Sequence, residues 1–238
     1  MPVVAEWPGF CPICKQETVF RAEQEWFRDH LLCTRCQNGS IPRERALMVM
    51  IDRLAPNWRA ARIHESSPAT RGVSVVLQNE CPNYIPTQFF PDIPPGALHQ
   101  GVRCENLEQQ TFRDNEFDLV VTQDVMEHVF DPAAAYREIY RTLKPGGLHL
   151  HTTPIYKQRV ETECRAKLAA DGQIQHLAEP EYHGNPIDNS GSLVTFHYGY
   201  DLHELIAQWT PFSVEIVRFH DRRSGIVAEF SEVLVCRK

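Results

Sequence analysis

The sequence predicts an α/β protein built on a mainly parallel sheet, with a small metal-stapled module at its amino terminus. Three observations predict it. The string FDLVVTQDVMEHVFDPAAAYREIYRTLKPGGLHLHTTP, Phe117 to Pro154, reads as strand, polar loop, capped helix, Gly-Gly turn and second strand. Cys11-Pro-Ile-Cys14 and Cys33-Thr-Arg-Cys36 are two C-x2-C pairs with eighteen residues between them. A chain of 238 residues can hold one core of ordinary size and a small appendage.

Bulk composition narrows the function classes. Hydrophobic residues at 42% and charged residues at 23% suit a globular protein, and no apolar run approaches the roughly 20 residues of a membrane helix. The start, MPVVAEWPGF, lacks the basic and apolar regions of a secretion signal, so the expected location is cytoplasmic. A net charge of −7 argues against broad contact with a phosphate backbone, and nucleic acid is not the expected partner. The four arginines between Arg35 and Arg53 read as a solvated helix surface.

From the amino terminus, the spacing of Cys11, Cys14, Cys33 and Cys36 is that of a four-thiolate zinc site. Short strands around Val19-Phe20 and Leu31-Leu32 would bring the two knuckles together. Four sulfur ligands close the coordination sphere, so the zinc is expected to be structural. The other four cysteines are scattered, which speaks against a disulfide framework. Ile41-Pro42 opens a helix over 43–54 with Ala46, Leu47, Met50, Ile51 and Leu54 on one side. This places a zinc-ribbon module in residues 1–42 and the main domain in 43–238.

Within Phe117–Pro154 the apolar, β-branched run 117–122 suits a strand buried on both faces. It ends in Gln123, Asp124, Glu127 and His128, where a parallel sheet presents its ligand-binding edge. Asp131 caps the helix, with Pro132 at its first position. Lys144 to Gly147 stop it and lead into the strand from Leu148. The pattern FDLVV, then V-x-EHV, then a charged helix ending in LKPGG resembles the class I S-adenosylmethionine-dependent methyltransferases, in the small-molecule, type 11-like branch. The resemblance covers about residues 45–238, and its specific motifs lie in 117–154. It implies a Rossmann-like, seven-stranded, mostly parallel sheet with helices on both faces.

The resemblance also implies a cofactor site, from which the sequence departs. The family's first strand ends in an acid and a glycine-rich turn. Here Glu65 fits the acid, but Ser66, Ser67 and Pro68 replace the glycines, and Gly72 comes several residues late. Either the serines build a working turn, or the fold is kept to bind something else. For the ribose, Gln88 is the candidate near the end of a strand over 84–90. Phe89 or Phe90 would cover the adenine, or sit in the core. Glu105, or the backbone around Asn106, would read the adenine edge after a third strand over 101–104. Gln123 and Asp124 complete the expected cofactor contacts.

Asp124-x-x-Glu127-His128 is the chemical constellation. Spacing of three and four at a helix start puts the side chains on one face. Two carboxylates and an imidazole suit a divalent cation beside an acceptor hydroxyl. Without metal, His128 could serve as general base; alternatively Glu127 and His128 only cap and orient the chain. The long connection 155–199 reads as a substrate-covering insertion. Residues 159–170 within it have helical composition, and Tyr182, His183, Asn185 and His197 have acceptor-pocket character. Asp201 is expected to cap a helix through Trp209, before two antiparallel strands in 212–219 and 231–237.

The function expected on this resemblance is methyl transfer from S-adenosylmethionine to a small metabolite or sugar, first of all to oxygen. Its rivals are an RNA base methyltransferase, which needs a basic stripe joining Arg35, Arg43 and Arg45 to the pocket, and a non-catalytic binding protein with its pocket blocked by Pro68 or Phe90. The zinc module could also be a dimer contact, so a homodimer stays open.

Overall fold

The structure is a computed structural model and describes residues 2–185 and 190–238. The amino-terminal hairpin, β1 (Ala5–Cys11) and β2 (Gln16–Ala22), turns at the first cysteine knuckle. The short helix α1 (Phe27–His30) leads into β3 (Leu32–Cys33), which pairs antiparallel with β2 and brings the second knuckle back. Helix α2 (Pro42–Leu54) follows, its free first amide at Ile41 donating to Glu44 Oε2 at 3.0 Å. The expected apolar side is buried except at half-buried Leu54, and so are Arg45 and Met48. The ribbon covers the side of the helix that periodicity alone assigns to solvent.

The main sheet is built from β4 (Ile63–Ser66), β5 (Tyr84–Gln88), β6 (Leu98–His99), β7 (Val102–Cys104), β8 (Phe117–Gln123) and β9 (Leu143–Thr152), closed by the carboxyl-terminal strands β16 (Ser213–Val217) and β17 (Val233–Arg237). Its order is β16-β17-β9-β8-β4-β5-β7-β6. The strands from β9 to β7 are parallel neighbours, while β17 runs antiparallel to both β9 and β16. The two-residue β6 makes an eighth strand beyond the expected seven, formed because the chain folds back at Gly101 to pair His99 with Val102.

Helices α2 and α3 (Gly72–Glu80) pack on one face of the sheet, in a core that runs unbroken from Trp7, Phe20 and Leu31 of the ribbon to Val121, Leu150 and Val235. Helices α4 (Pro132–Thr142) and α5 (Leu202–Trp209) cover the other, on Val120, Leu234 and Cys236. Ribbon and domain therefore share one interior. At their seam Gly225 has φ +65°, and a Cβ there would lie 2.7 Å from the Phe20 ring.

Two expectations are corrected. Residues 159–170 are not helical: they form β10 (Glu163–Cys164) and β11 (Ala166–Leu168), which pair with β15 (Phe196–His197) and β12 (Ile174–His176). Tertiary pairing of the backbone overrides local propensity there. The second hairpin of the insertion joins β13 (Tyr182–His183) to β14 (Ser192–Leu193). Part of the expected covering segment, 186–189, lies outside the described residues. Asp201 precedes α5, but its carboxylate accepts from Thr162 N at 3.0 Å and Thr162 Oγ1 at 2.6 Å, tying the insertion down instead of capping the helix.

Among the described residues, no helix is long and apolar enough to cross a membrane.

Candidate active site

The chain runs from β4 outward through β5 to β7, then returns to β8 on the other side of β4. The carboxyl ends of β4 and β8 thus flank a topological switch point, where open sheets bind ligands. Ser66 to Arg71 leave β4 there. Ser67 takes φ +55° without being glycine, and its amide donates to Thr87 O at 2.8 Å. Gly72 opens α3 at φ +60°, with the Glu44 carboxylate 2.3 Å from where a Cβ would stand, so this glycine is required by contact as well as conformation. The loop is pinned to the preceding segment by Asn38 Nδ2 on Thr70 O at 2.9 Å and by Arg71 Nε on Glu44 Oε1 at 3.0 Å. Pro68 is only half-buried in it.

Glu65 is completely buried and receives Ser74 Oγ, Tyr84 OH and Gln123 Nε2, each at 2.7 Å. Burial raises its pKa in spite of those donors. On the next strand Gln88 is half-buried and Phe89 is 45% exposed. Phe90 packs its ring edge-on against His99, centroids 4.7 Å apart. Glu105 is committed elsewhere: its carboxylate accepts from Arg103 Nε at 2.7 Å and from Thr111 N at 2.9 Å. Asn106 Oδ1 closes its own turn on Glu108 N at 2.9 Å. The buried Glu105 carboxylate is thus turned to its own neighbours, while Asn106 stays half-buried.

Asp124 stands at φ +53° just beyond β8. Its carboxylate binds Arg28 from the ribbon, Arg43 Nε at 2.9 Å and Thr152 Oγ1 at 3.0 Å. Burial alone would raise its pKa; Arg43 and Arg28 outweigh that and hold the acid ionised. Asp124 is thereby taken out of the expected cation set. Arg43 also reaches Asp29 at 2.9 Å, and Arg45 is wholly buried, so the basic stripe required by an RNA-binding reading is not formed. Sequence reasoning missed both cationic partners of Asp124. Arg43 looked like helix surface, and nothing local marks Arg28, which lies 96 residues away in the chain.

Glu127 and His128 meet residues of the insertion instead. Glu127 is 2% exposed; Oε2 accepts from Thr153 Oγ1 at 2.9 Å, while Oε1 is buried with no hydrogen-bond partner. Burial and neighbouring Asp124 push its pKa up to about 8. His128 Nδ1 donates to Leu193 O at 2.9 Å, which leaves Nε2 as the lone-pair nitrogen, 3.9 Å from Glu127 Oε1. Burial lowers its pKa and keeps the ring neutral. The His183 ring stands edge-on to it, centroids 5.3 Å apart. Glu181 joins the two remaining histidines, at 3.3 Å to His183 Nε2 and 2.8 Å to His197 Nε2. Glu181 and His183 are two apart on an extended segment and share a face, a signal that the sequence did carry. Tyr156 stacks on His197 at 4.2 Å and meets Phe230, over which Arg28 lies at 5.7 Å. The ribbon's Arg28 thus helps wall the same edge.

The structure gathers Cys11, Cys14, Cys33 and Cys36 with all four sulfurs within 4.8 Å of one another. Sulfur pairs at 3.5 and 3.9 Å are too long for disulfides and match the edges of a tetrahedron around zinc. Arg45 supplies an independent test of fit. This fully buried guanidinium donates to the carbonyls of Ser40, Leu31 and Gly225 and forms no ion pair with a carboxylate among the described residues. A four-thiolate zinc centre, with its net negative charge, is the counterion such a cation needs.

Comparison with known proteins agrees with the topology. The family described as "Methyltransferase domain" matches residues 91–151. The chain is similar to the crystal structure of an S-adenosylmethionine dependent methyltransferase from Mesorhizobium loti, with a TM-score of 0.52 and 15% identity over 81% of this chain and 98% of that one. The chain has the class I methyltransferase fold. It is also 40% identical over 53 residues to a Mycolicibacterium smegmatis protein named "Probable S-adenosylmethionine-dependent methyltransferase". That match spans 22% of this chain and about a fifth, 21%, of the relative's length.

A shallow depression of about 660 Å³ lined by Arg62, Arg103, Asn115 and Lys144 opens at the opposite, amino-terminal end of the strands and belongs to none of this chemistry.

Proposed function

We propose that the protein transfers a methyl group from S-adenosylmethionine to an oxygen of a small metabolite or sugar. The observation that carries this is the pair of groups left open just beyond β8, the buried, unpartnered Glu127 Oε1 and the Nε2 lone pair of neutral His128, 3.9 Å apart. The donor supplies an electrophilic methyl on a sulfonium. The chain's residues do the rest. Ser66, Ser67 and Gln123 would hold its methionine end, with Gln88 and Phe89 along the ribose and adenine. Glu127, His128 and His183 receive the acceptor hydroxyl, and the Nε2 of neutral His128 takes up its proton as the new O–C bond forms and the S–C bond breaks. Tyr156, His197 and Phe230 shield the edge from water, and positioning supplies most of the rate enhancement. The zinc of the ribbon is structural on this reading, held by Cys11, Cys14, Cys33 and Cys36.

The test is calorimetric titration of zinc-replete protein with S-adenosylmethionine and S-adenosylhomocysteine. Micromolar binding of both is expected, weakened by Ser67→Pro. Absence of binding to either, with and without a panel of hydroxylated sugars, would overturn the reading.

A further inference from the structure

We infer that Glu127, His128 and His183 form a second, open metal centre for a divalent cation of borderline softness, with zinc the natural probe. Ligand atoms of the three side chains lie within 4.8 Å of one another. Each side chain is also oriented from behind in the manner that metal ligands require. His128 is turned by its Nδ1–H on Leu193 O at 2.9 Å, and Glu127 by Thr153 Oγ1 on Oε2 at 2.9 Å. His183 is turned by Glu181 at 3.3 Å from Nε2, which leaves Nδ1 with the lone pair. What remains is one unpartnered carboxylate oxygen, 98% shielded by its residue's burial, and two imidazole lone pairs.

Two imidazoles and one carboxylate make a three-ligand set that leaves a coordination position open. Ligands about 2.1 Å from a tetrahedral metal stand about 3.4 Å apart; the 3.9 Å between His128 Nε2 and Glu127 Oε1 needs only a small closing motion. Side-chain exposures of 17% for His128 and 35% for His183 leave a path for the ion and for an oxygen ligand. The other histidine-containing cluster, His149, His151 and Cys236, is completely buried and offers no such path. Asp124, neutralised by two arginines, takes no part.

The centre's use in catalysis rests on the methyl-transfer reading; its existence does not. An acceptor hydroxyl in the open position would lose its proton to solvent on binding, the cation taking the place given above to that proton.

The experiment is metal analysis and zinc calorimetry on untagged protein with the ribbon already loaded. Two zinc ions per wild-type chain are expected, and one in His183→Ala and in Glu127→Gln. Glu181→Gln should weaken the second site by about 10–100-fold, as loss of an orienting partner does. Half-exposed His183 can be removed without disturbing the core, so unchanged melting of metal-free second-site protein checks the fold. A wild-type stoichiometry of one, or undiminished second-site binding in His183→Ala, overturns the centre. Donor binding measured on the same samples separates this failure from failure of the methyl-transfer reading.

Discussion

Replacing His64 by glutamine should make the protein less sensitive to acid. His64 is completely buried on β4, with Nε2 2.9 Å from Thr87 Oγ1, Nδ1 unpartnered, and the rings of Phe112 and Phe117 at 5.0 and 5.2 Å. Burial, with Arg103 adding to it, depresses its pKa to about 3. The unfolded chain binds a proton near pH 6.5, and the native state refuses it. For a base depressed in this way, stability is intact above the unfolded value and lost as pH falls below it. Between pH 7 and 5 the linkage amounts to about 2 kcal/mol for this one residue. His149 and His151, also fully buried and depressed, act in the same direction. Glu127, raised to about 8, acts in the opposite one, because it keeps its proton while the unfolded chain gives it up. The wild-type curve therefore mixes signs, and only the difference from His64→Gln isolates the histidine. Glutamine keeps a donor for Thr87 and cannot titrate. Urea unfolding at pH 7, 6 and 5 should show the variant's deficit shrinking by about 2 kcal/mol on acidification. Acid loss of zinc is common to both chains and cancels. A deficit constant to within about 0.5 kcal/mol would refute the argument.

Asp124→Asn should cost about 3–5 kcal/mol, because it strands Arg28 and Arg43 without a counter-charge; a cycle with Arg28→Met should recover part of the loss, and strict additivity in denaturant midpoints would contradict the clamp. Arg45→Met should destabilise by at least about 3 kcal/mol, since three carbonyls lose their donor, and should speed zinc release to a chromogenic chelator, an effect that a purely hydrogen-bonding role would not produce. Gly225→Ala, at φ +65° and against Phe20, should cost more than about 2 kcal/mol in thermal unfolding. A neutral result would mean that the seam can open.

The residues that could be read from sequence were those whose role is set by neighbours in the chain. Cysteine spacing announced the four-sulfur cluster, and an unbroken β-branched run, a helix cap and a Gly-Gly stop announced β8, α4 and β9. The ends of β4 and β8 converge because a parallel sheet brings them together whatever their loops contain. The roles set at long range were hidden. Arg45 resembled any helix arginine until its carbonyl partners arrived from residues 31, 40 and 225. Asp124 looked like a metal ligand because its spacing to Glu127 was right; the ribbon's Arg28 changed that from 96 residues away. Glu105 looked like a cofactor contact because of its place after β7, yet neighbouring Arg103 and Thr111 use both of its oxygens. Composition misled over 159–170, where β10 pairs with Phe196 and His197 far along the chain and β11 turns back in a hairpin onto Ile174 to His176.

The ribbon and the site edge are joined by charge, and this fixes what chelation should do. Loss of zinc returns protons to the thiols and leaves Arg45 buried without its counterion. Arg45 lies two residues beyond Arg43 on α2 and donates to Leu31 O, next to α1 and its Arg28. Loosening it removes both guanidinium partners from Asp124 at one stroke. Asp124 is then a buried carboxylate with only Thr152 for company, which is unfavourable enough to open the loop after β8. Hydrogen exchange after chelation should therefore rise at residues 123–129 as well as in β1–β3, while α4, packed on the far core through Tyr136 and Ile139, stays protected. Exchange confined to residues 5–40 would show that the ribbon is an appendage and that Arg28 contributes nothing to the site.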